Sequence, residues 1–256
     1  MDPLSHAVAG GVAASLNARN TAHIRLAVAC GMLAGMFPDA DILIRDASNP
    51  MLGLAYHRHF THALFFAPLG ALLVAGLLKL FRLTNAPLSV LFVYCLCGIA
   101  CHGVLDAMTN YGTHLFWPFT NRRESWSIIS IVDPVFTLTL LALLACVVIG
   151  RNKRYAIAAA LFAVFYWSIG LAQRELATDA MLQLAASRGH KVERFEVKPS
   201  IGNIVVWRGQ YLHDGMIYVD AYHQSPWRGT VVYPGGSLPL FNAANLSAAL
   251  GDKQIK

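Results

Sequence analysis

LSVLFVYCLCGIACHGVLDAMT, residues 88 to 109, is the stretch on which the fold reading turns. A helix needs roughly 20 apolar residues to cross the hydrocarbon core of a bilayer, and this segment supplies them with a single carboxylate, Asp106, and no Lys or Arg. The surrounding sequence continues in the same manner. Residues 88 to 121 hold one acidic and no basic side chain, whereas residues 174 to 228 mix Arg, Lys, Glu and Asp freely. Across all 256 residues, 56% are hydrophobic and 13% charged, and the mean hydropathy is +0.48. A soluble domain is far less apolar and carries about twice as much charge. The composition therefore predicts a chain solvated by lipid over its first part and by water over its last.

Four further segments approach spanning length, 26 to 44, 64 to 81, 132 to 149 and 155 to 173, and a shorter run of small residues covers 4 to 16. Gly10, Gly11, Ala13 and Ala14 in that run suit close helix contact. If every segment crosses, one side collects Arg19, Arg25, Lys79, Arg82, Arg151, Lys153 and Arg154 almost without acids. The other receives Arg45, Arg58, Arg122 and Arg123 diluted by Asp39, Asp41, Asp46 and Glu124, together with the region after Arg174. Positive residues favour the cytoplasm, so the second side is expected to be periplasmic. No basic n-region with an apolar h-region opens the sequence, and insertion is expected to rely on the spans themselves.

The expected fold is mainly α: a polytopic membrane bundle of about five to six helices over residues 1–174, followed by a small soluble β-rich domain over 175–256. Within the latter, residues 175 to 188 have helical composition. The runs 202 to 207 and 216 to 222 are β-branched and aromatic, separated by Arg-Gly and Asp-Gly turn signals. The formal net charge of +6 comes without the interleaved basic and aromatic residues of a nucleic-acid groove, so no nucleic-acid partner is expected. Cys30, Cys95, Cys97, Cys101 and Cys146 lie in apolar segments without a CxxC pair and read as small packing residues.

Ionisable groups inside membrane segments are costly and mark functional sites. Here they gather at helix ends that the topology brings to one face: His6, Asp39 and Asp41 after Pro38, then His57, His59 and His62, then His102 and Asp106. His102 and Asp106 are four residues apart and share a helix face, from which an imidazole and a carboxylate can converge on one cation. A mixed nitrogen and oxygen donor set without nearby Cys favours Zn²⁺, with Mn²⁺ or Fe²⁺ as alternatives, and an open rather than closed coordination sphere. A metal so held acidifies a bound water and polarises a phosphoryl or carbonyl oxygen. His23, His190, His213 and His223 are given no ligand role.

Asp2-Pro3-x-x-His6, Pro38-Asp39-x-Asp41, His57-Arg58-x-x-Thr61-His62, His102-x-x-x-Asp106, Tyr111-Gly112, Trp117-Pro118-Phe119 and Asp133-Pro134 occur in this order. In number and order they resemble the YdjM/YbcI-type bacterial inner-membrane proteins, described as metal-dependent hydrolases. The resemblance extends over residues 1 to about 140, and the stretch 199 to 207 is similar to that family's C-terminal part. It implies metal binding through His6, Asp39, Asp41, His57, His62, His102 and Asp106. His59 stands where the family pattern has a small residue, and His114 lies outside the pattern. More distantly, the sequence is similar to the zinc-dependent phospholipase C and P1 nuclease group, which implies phosphoester hydrolysis. That group's later His-x-x-x-Glu motif is missing, so one or two metals are expected rather than three.

The expectation that follows is a hydrolase of an ester or phosphoester on a lipid-like substrate. Asp39 or Asp41 would orient the attacking water and Arg58 would neutralise phosphate charge, with Arg122 or Arg123 as further candidates. Two readings of other classes stand beside it. A metal-ion or proton carrier should carry polar groups across the whole bilayer, whereas here they stop at one side. A membrane binding or regulatory protein acting through the C-terminal domain has no positive motif in the sequence.

Overall fold

A computed structural model describes residues 1–46, 48, 49, 51–225 and 227–240, the side chains of Met51 and Leu54 excepted. The last residues of the expected C-terminal domain, 241–256, therefore lie outside the described part. Two compact units are present: Met1–Leu171 with Ile201–Ile204, and Ala172–Ser200 with the described part of Val205–Lys256.

The first unit is built of helices whose starts are written in the sequence. Asp2 caps α1 (Pro3–Leu16), accepting from the Ser5 amide at 3.0 Å with Pro3 in the first turn. Asp133 does the same for α6 (Pro134–Gly150), accepting from the Phe136 amide at 3.1 Å. Aspartate satisfies an orphan amide at each N-terminus, and proline has no amide to leave unsatisfied there. The two starts lie side by side, since the Asp2 amide donates to Ile131 O at 3.1 Å and the Ser5 and Thr137 hydroxyls share a hydrogen bond. Between them in the chain run α2 (Ile24–Met36), the short α3 (Met51–Tyr56), α4 (Ala67–Leu80) and α5 (Leu88–Met108), and α7 (Lys153–Ser187) follows.

Glycines set how closely these helices approach. A Cβ added at Gly31 of α2 would lie 2.3 Å from Gly10 O of α1, one at Gly35 would lie 2.6 Å from His6 O, and one at Gly98 of α5 would lie 2.5 Å from Gly31 O. Three backbones thus touch where any side chain would hold them apart, which is the means by which lipid-embedded helices associate without a hydrophobic drive. The contacts also fix direction: α1 runs against α2, and α5 runs with it. At the far end from His6, Lys153 Nζ reaches Leu16 O at 3.3 Å and Arg25 Nε reaches Val148 O at 3.4 Å. The basic cluster and the His/Asp groups accordingly occupy opposite ends of the bundle, as the sequence predicts.

Among the described residues three helical stretches are long and apolar enough to cross a membrane, Thr21–Leu43, Leu88–Met108 and Lys153–Ser187, while Ala67–Leu80 and Pro134–Gly150 are shorter apolar helices. Two differences from the sequence reading have simple causes. The expected span 26 to 44 leaves the α-helical path after Met36 and continues as a 3₁₀ turn, Phe37–Leu43. Pro38 lacks the amide that an α-helix would need there, and the tighter turn carries Asp39 and Asp41. The expected span 155 to 173 and the helix 175 to 188 are one continuous 35-residue helix. Arg174 and Glu175 change its polarity, but charge does not interrupt a helix as Gly or Pro does.

In the second unit, β1 (Arg194–Pro199), β2 (Val206–His213), β3 (Met216–Ser225) and β4 (Gly229–Pro239) form an antiparallel meander in sequence order. Asp214 and Gly215, both at positive φ, join β2 to β3 with His213 paired to Met216. Such a two-residue turn matches the twist of the strands. The run 202 to 207 is only partly a strand: it enters β2 at Val206, and Ile201–Ile204 belong to the first unit, where the Gly202 amide donates to Val132 O at 3.0 Å. Trp207, Tyr211 and Tyr222 are fully buried, with Met181 of the helix packed at Gly209. Arg188 holds the buried Asp220 by two hydrogen bonds of 2.8 and 2.9 Å.

Candidate metal centre

His102 sits in α5, and Nδ1 of its buried ring lies 2.6 Å from Gly35 O, the same residue whose missing side chain lets α1 approach. The carbonyl accepts the Nδ1 proton, so Nε2 carries the lone pair and faces inward. His62 follows a 3₁₀ turn (Phe60–His62), with Nδ1 at 3.0 Å from the Thr61 hydroxyl and 3.4 Å from Asp41 Oδ2. Its Nε2 is likewise turned inward. Both Nε2 atoms are buried without a hydrogen-bond partner, as is Asp106 Oδ2.

These orphaned atoms converge. His62 Nε2 is 3.3 Å from Asp106 Oδ2 and 3.5 Å from Asp39 Oδ1; His102 Nε2 is 3.7 and 3.6 Å from the same two oxygens. Ligand bonds of about 2.0 to 2.2 Å in tetrahedral geometry place donor atoms roughly 3.3 to 3.6 Å apart; three of these edges fall in that range, and two overlapping triads come close enough together for an ion, His6, Asp39 and His102, and His62, His102 and Asp106. His6 adds a fifth donor: its ring stacks on that of His102 with centroids 3.6 Å apart, and its Nε2 is 3.2 Å from Asp106 Oδ1. Asp106 is also touched by the main-chain nitrogen of Met1. The set is buried except for Asp39, whose side chain is 28% exposed and opens the centre to one side.

Asp41 and His57 stand one layer out. The Asp41 carboxylate is fully enclosed and accepts from the Arg58 amide at 2.9 Å and the Thr61 hydroxyl at 3.0 Å, and its Oδ1 is 2.8 Å from Nδ1 of the half-exposed His57. It thereby ties the loop 57–62 in place and backs His62. Carboxylates behind ligating imidazoles tune metal affinity by roughly 10- to 100-fold. Asp41→Ala is therefore expected to weaken metal binding by that factor while leaving some metal bound at saturation, as measured by competition with a chelator of known affinity. Affinity equal to wild type would refute this backing role.

Arg58 lies at φ +62°, in the left-handed region that non-glycine residues seldom adopt. Its side chain is only 11% exposed, with Nε 3.4 Å from Asp106 Oδ2 and the guanidinium beneath the Tyr111 ring at 5.4 Å. A buried guanidinium beside the donor cluster is placed to meet an anion held there. Burial works against an imidazolium at His62, yet the Asp106, Asp39 and Asp41 carboxylates outweigh it and raise its proton affinity above the ordinary imidazole value. The same field attracts a divalent cation.

All seven sequence-expected ligands thus come to one end of the bundle, five pointing into the centre and Asp41 and His57 supporting it. Sequence reasoning missed Gly35 as the partner of His102, and Gly103, where a Cβ would lie 2.4 Å from His62 O. A glycine immediately after a helical His was the available signal. It also left His59 and His114 unassigned, although their rings meet at 4.5 Å. His23 is far from the centre in the chain's topology, with Nδ1 3.3 Å from the Tyr94 hydroxyl near the start of α5.

Alternating apolar helices with buried His and Asp donors gathered at one end define a polytopic membrane protein carrying a candidate metal centre. The family model described as YdjM inner membrane protein matches residues 1–177, and the chain belongs to that family. No curated protein and no solved structure matches it.

Proposed function

We propose that this inner-membrane protein is a metal-dependent hydrolase acting on an ester or phosphoester of a lipid-like substrate. The observation that supports the reading best is the set of separations among His62 Nε2, His102 Nε2, Asp39 Oδ1 and Asp106 Oδ2, buried or half-buried donors near ligand-to-ligand distances, three of them without a hydrogen-bond partner among the described residues. His62, His102 and Asp106 would hold one ion, and His6 and Asp39 with the shared His102 would hold it or a second one. A divalent metal bound there supplies Lewis acidity and lowers the pKa of an associated water towards neutrality.

The chain's own residues do the remaining work. Gly35 O and Thr61 fix the tautomers of His102 and His62, so that both present lone pairs inward. Asp39, the half-exposed carboxylate, faces the opening and orients water there. Arg58 binds the phosphoryl or carboxyl oxygen on which charge develops, in a site where burial strengthens the interaction. The positive-inside rule supports a cytoplasmic position for the basic end of the bundle and a periplasmic one for the centre.

The test is elemental analysis of the purified protein, joined to phosphodiesterase and lipase assays on membrane lipids before chelation, after it, and after reloading with Zn²⁺, Mn²⁺ or Fe²⁺. Activity that vanishes with the metal and returns with it is expected. A metal-loaded protein that cleaves none of these lipids would overturn the proposal.

A further inference from the structure

His59 and His114 lie outside the donor cluster, yet they meet. Their rings are 4.5 Å apart, Nδ1 of His59 is closed to water with no hydrogen-bond partner among the described residues, and the His114 ring is hydrogen-bonded by the Asn121 backbone. The loop 113–124 brings them together: the His114 amide donates to Arg58 O at 3.1 Å, and the Thr113 and Glu124 backbones pair. Arg123, also on that loop, places Nε 3.3 Å from His114 Nε2 and donates through Nη2 to His57 O at 2.8 Å.

A guanidinium can only donate, so His114 Nε2 holds the lone pair and its proton sits on Nδ1. The Asn121 backbone is its acceptor. His59, with Nδ1 closed off, meets solvent through Nε2, which can donate. Outward the trio offers that nitrogen and the uncommitted N–H bonds of Arg123. No carboxylate pairs with Arg123 among the described residues, since the adjacent Glu124 pairs with Arg122 at 3.5 Å. A metal ion is disfavoured, because Arg123 both repels it and occupies the His114 nitrogen opposite.

We propose that His59, His114 and Arg123 form a subsite for a phosphate-type oxyanion at the rim of the metal centre. Arg123 offers the planar fork that matches two phosphate oxygens, and His59 a third donor. The trio connects to the centre through His57, whose carbonyl binds Arg123 and whose ring lies against Asp41. Apolar surface adjoins it at the exposed Phe116 and Phe119. The occupant is the phosphate of an amphiphilic phosphoester or free phosphate itself. The assignment of this phosphate to the substrate rests on the hydrolase reading, whereas the subsite does not.

The test uses the full chain in detergent, stripped of metal by chelation and titrated with inorganic phosphate by calorimetry. Phosphate binding to the stripped protein is expected, weakened about tenfold or more in Arg123→Gln by loss of a charge-assisted fork, and weakened less in His114→Phe, which keeps a ring. Lys79→Gln, exposed and at the opposite end of the bundle, should bind as wild type. Stripped protein that binds no phosphate, or Arg123→Gln that binds it unchanged, overturns the subsite. Phosphate bound only after metal reloading and without dependence on Arg123 also overturns it while sparing the hydrolase reading. Binding by stripped protein whose reloaded form cleaves nothing upholds the subsite alone. Nanodiscs then assign the source: phosphatidic acid that lowers the apparent phosphate affinity several-fold relative to phosphatidylcholine identifies a lipid headgroup, and no such competition identifies free phosphate.

Discussion

Replacing Asp106 by Ala is expected to lower divalent metal affinity by about 100-fold or more and to abolish hydrolysis with it. Asp106 is fully buried in α5, lies 3.2 to 3.7 Å from the Nε2 atoms of His6, His62 and His102, and meets Arg58 through the same Oδ2 that faces His62 and His102. Its removal takes away a primary donor and leaves the Arg58 guanidinium without its carboxylate, and second-layer losses alone already cost roughly 10- to 100-fold. A bundle that still inserts is expected, because the close backbone contacts at Gly10, Gly31, Gly35 and Gly98 do not involve this side chain. Elemental analysis after equilibration against a metal buffer reads the effect directly. His23→Ala, at the opposite end of the bundle, is the matched control and should retain wild-type metal. Full metal content in Asp106→Ala would sink the metal-centre reading and leave the cluster a structural one.

Gly31→Val should be the most damaging change away from the centre. The added Cβ would stand 2.3 Å from Gly10 O and 2.5 Å from Ala14 Cβ, both on α1 and neither able to yield without moving the helix. Over-packing in a well-fitted interior costs about 1 to 3 kcal/mol where side chains can adjust, and more is expected where the obstacle is backbone. Displaced α1 carries His6 away from His102, so metal content should fall together with the thermal midpoint of the solubilised protein. Gly76→Ala is the contrast: nothing lies within 4 Å of a Cβ there, and helix propensity favours the alanine. Equal stability of Gly31→Val and wild type would show that the helices are not held by this backbone contact.

The features most legible in the sequence were those with one-dimensional signatures. Long charge-free runs gave the helices, the Asp-Pro pairs gave two of their starts, and the spacing of His102 and Asp106 gave a shared face. What the sequence hid depends on tertiary placement. That Asp41 backs His62 while Asp39 faces the donors follows from a 3₁₀ path forced by Pro38, and two aspartates two residues apart look equivalent until that path is known. The pairing of His59 with His114 joins residues 55 positions apart through a loop with no regular periodicity. The continuity of α7 past Leu171 was masked by a change in polarity that does not interrupt the helical backbone.

The first helix has a bearing on how the protein is made. At 14 residues and 1.5 Å per residue, α1 is about 21 Å long, short of the roughly 30 Å hydrocarbon core. Its residues from Ser5 to Val12 and Ala14 to Ser15 are all buried against protein. Such a segment gains little from lipid and most of its environment from α2, α5 and α6, which follow it in the chain. Synthesis therefore delivers α1 before the surfaces that accommodate it exist. Its docking waits for α2 and α5, so that His6 meets His102 only once the helices that follow it have been made.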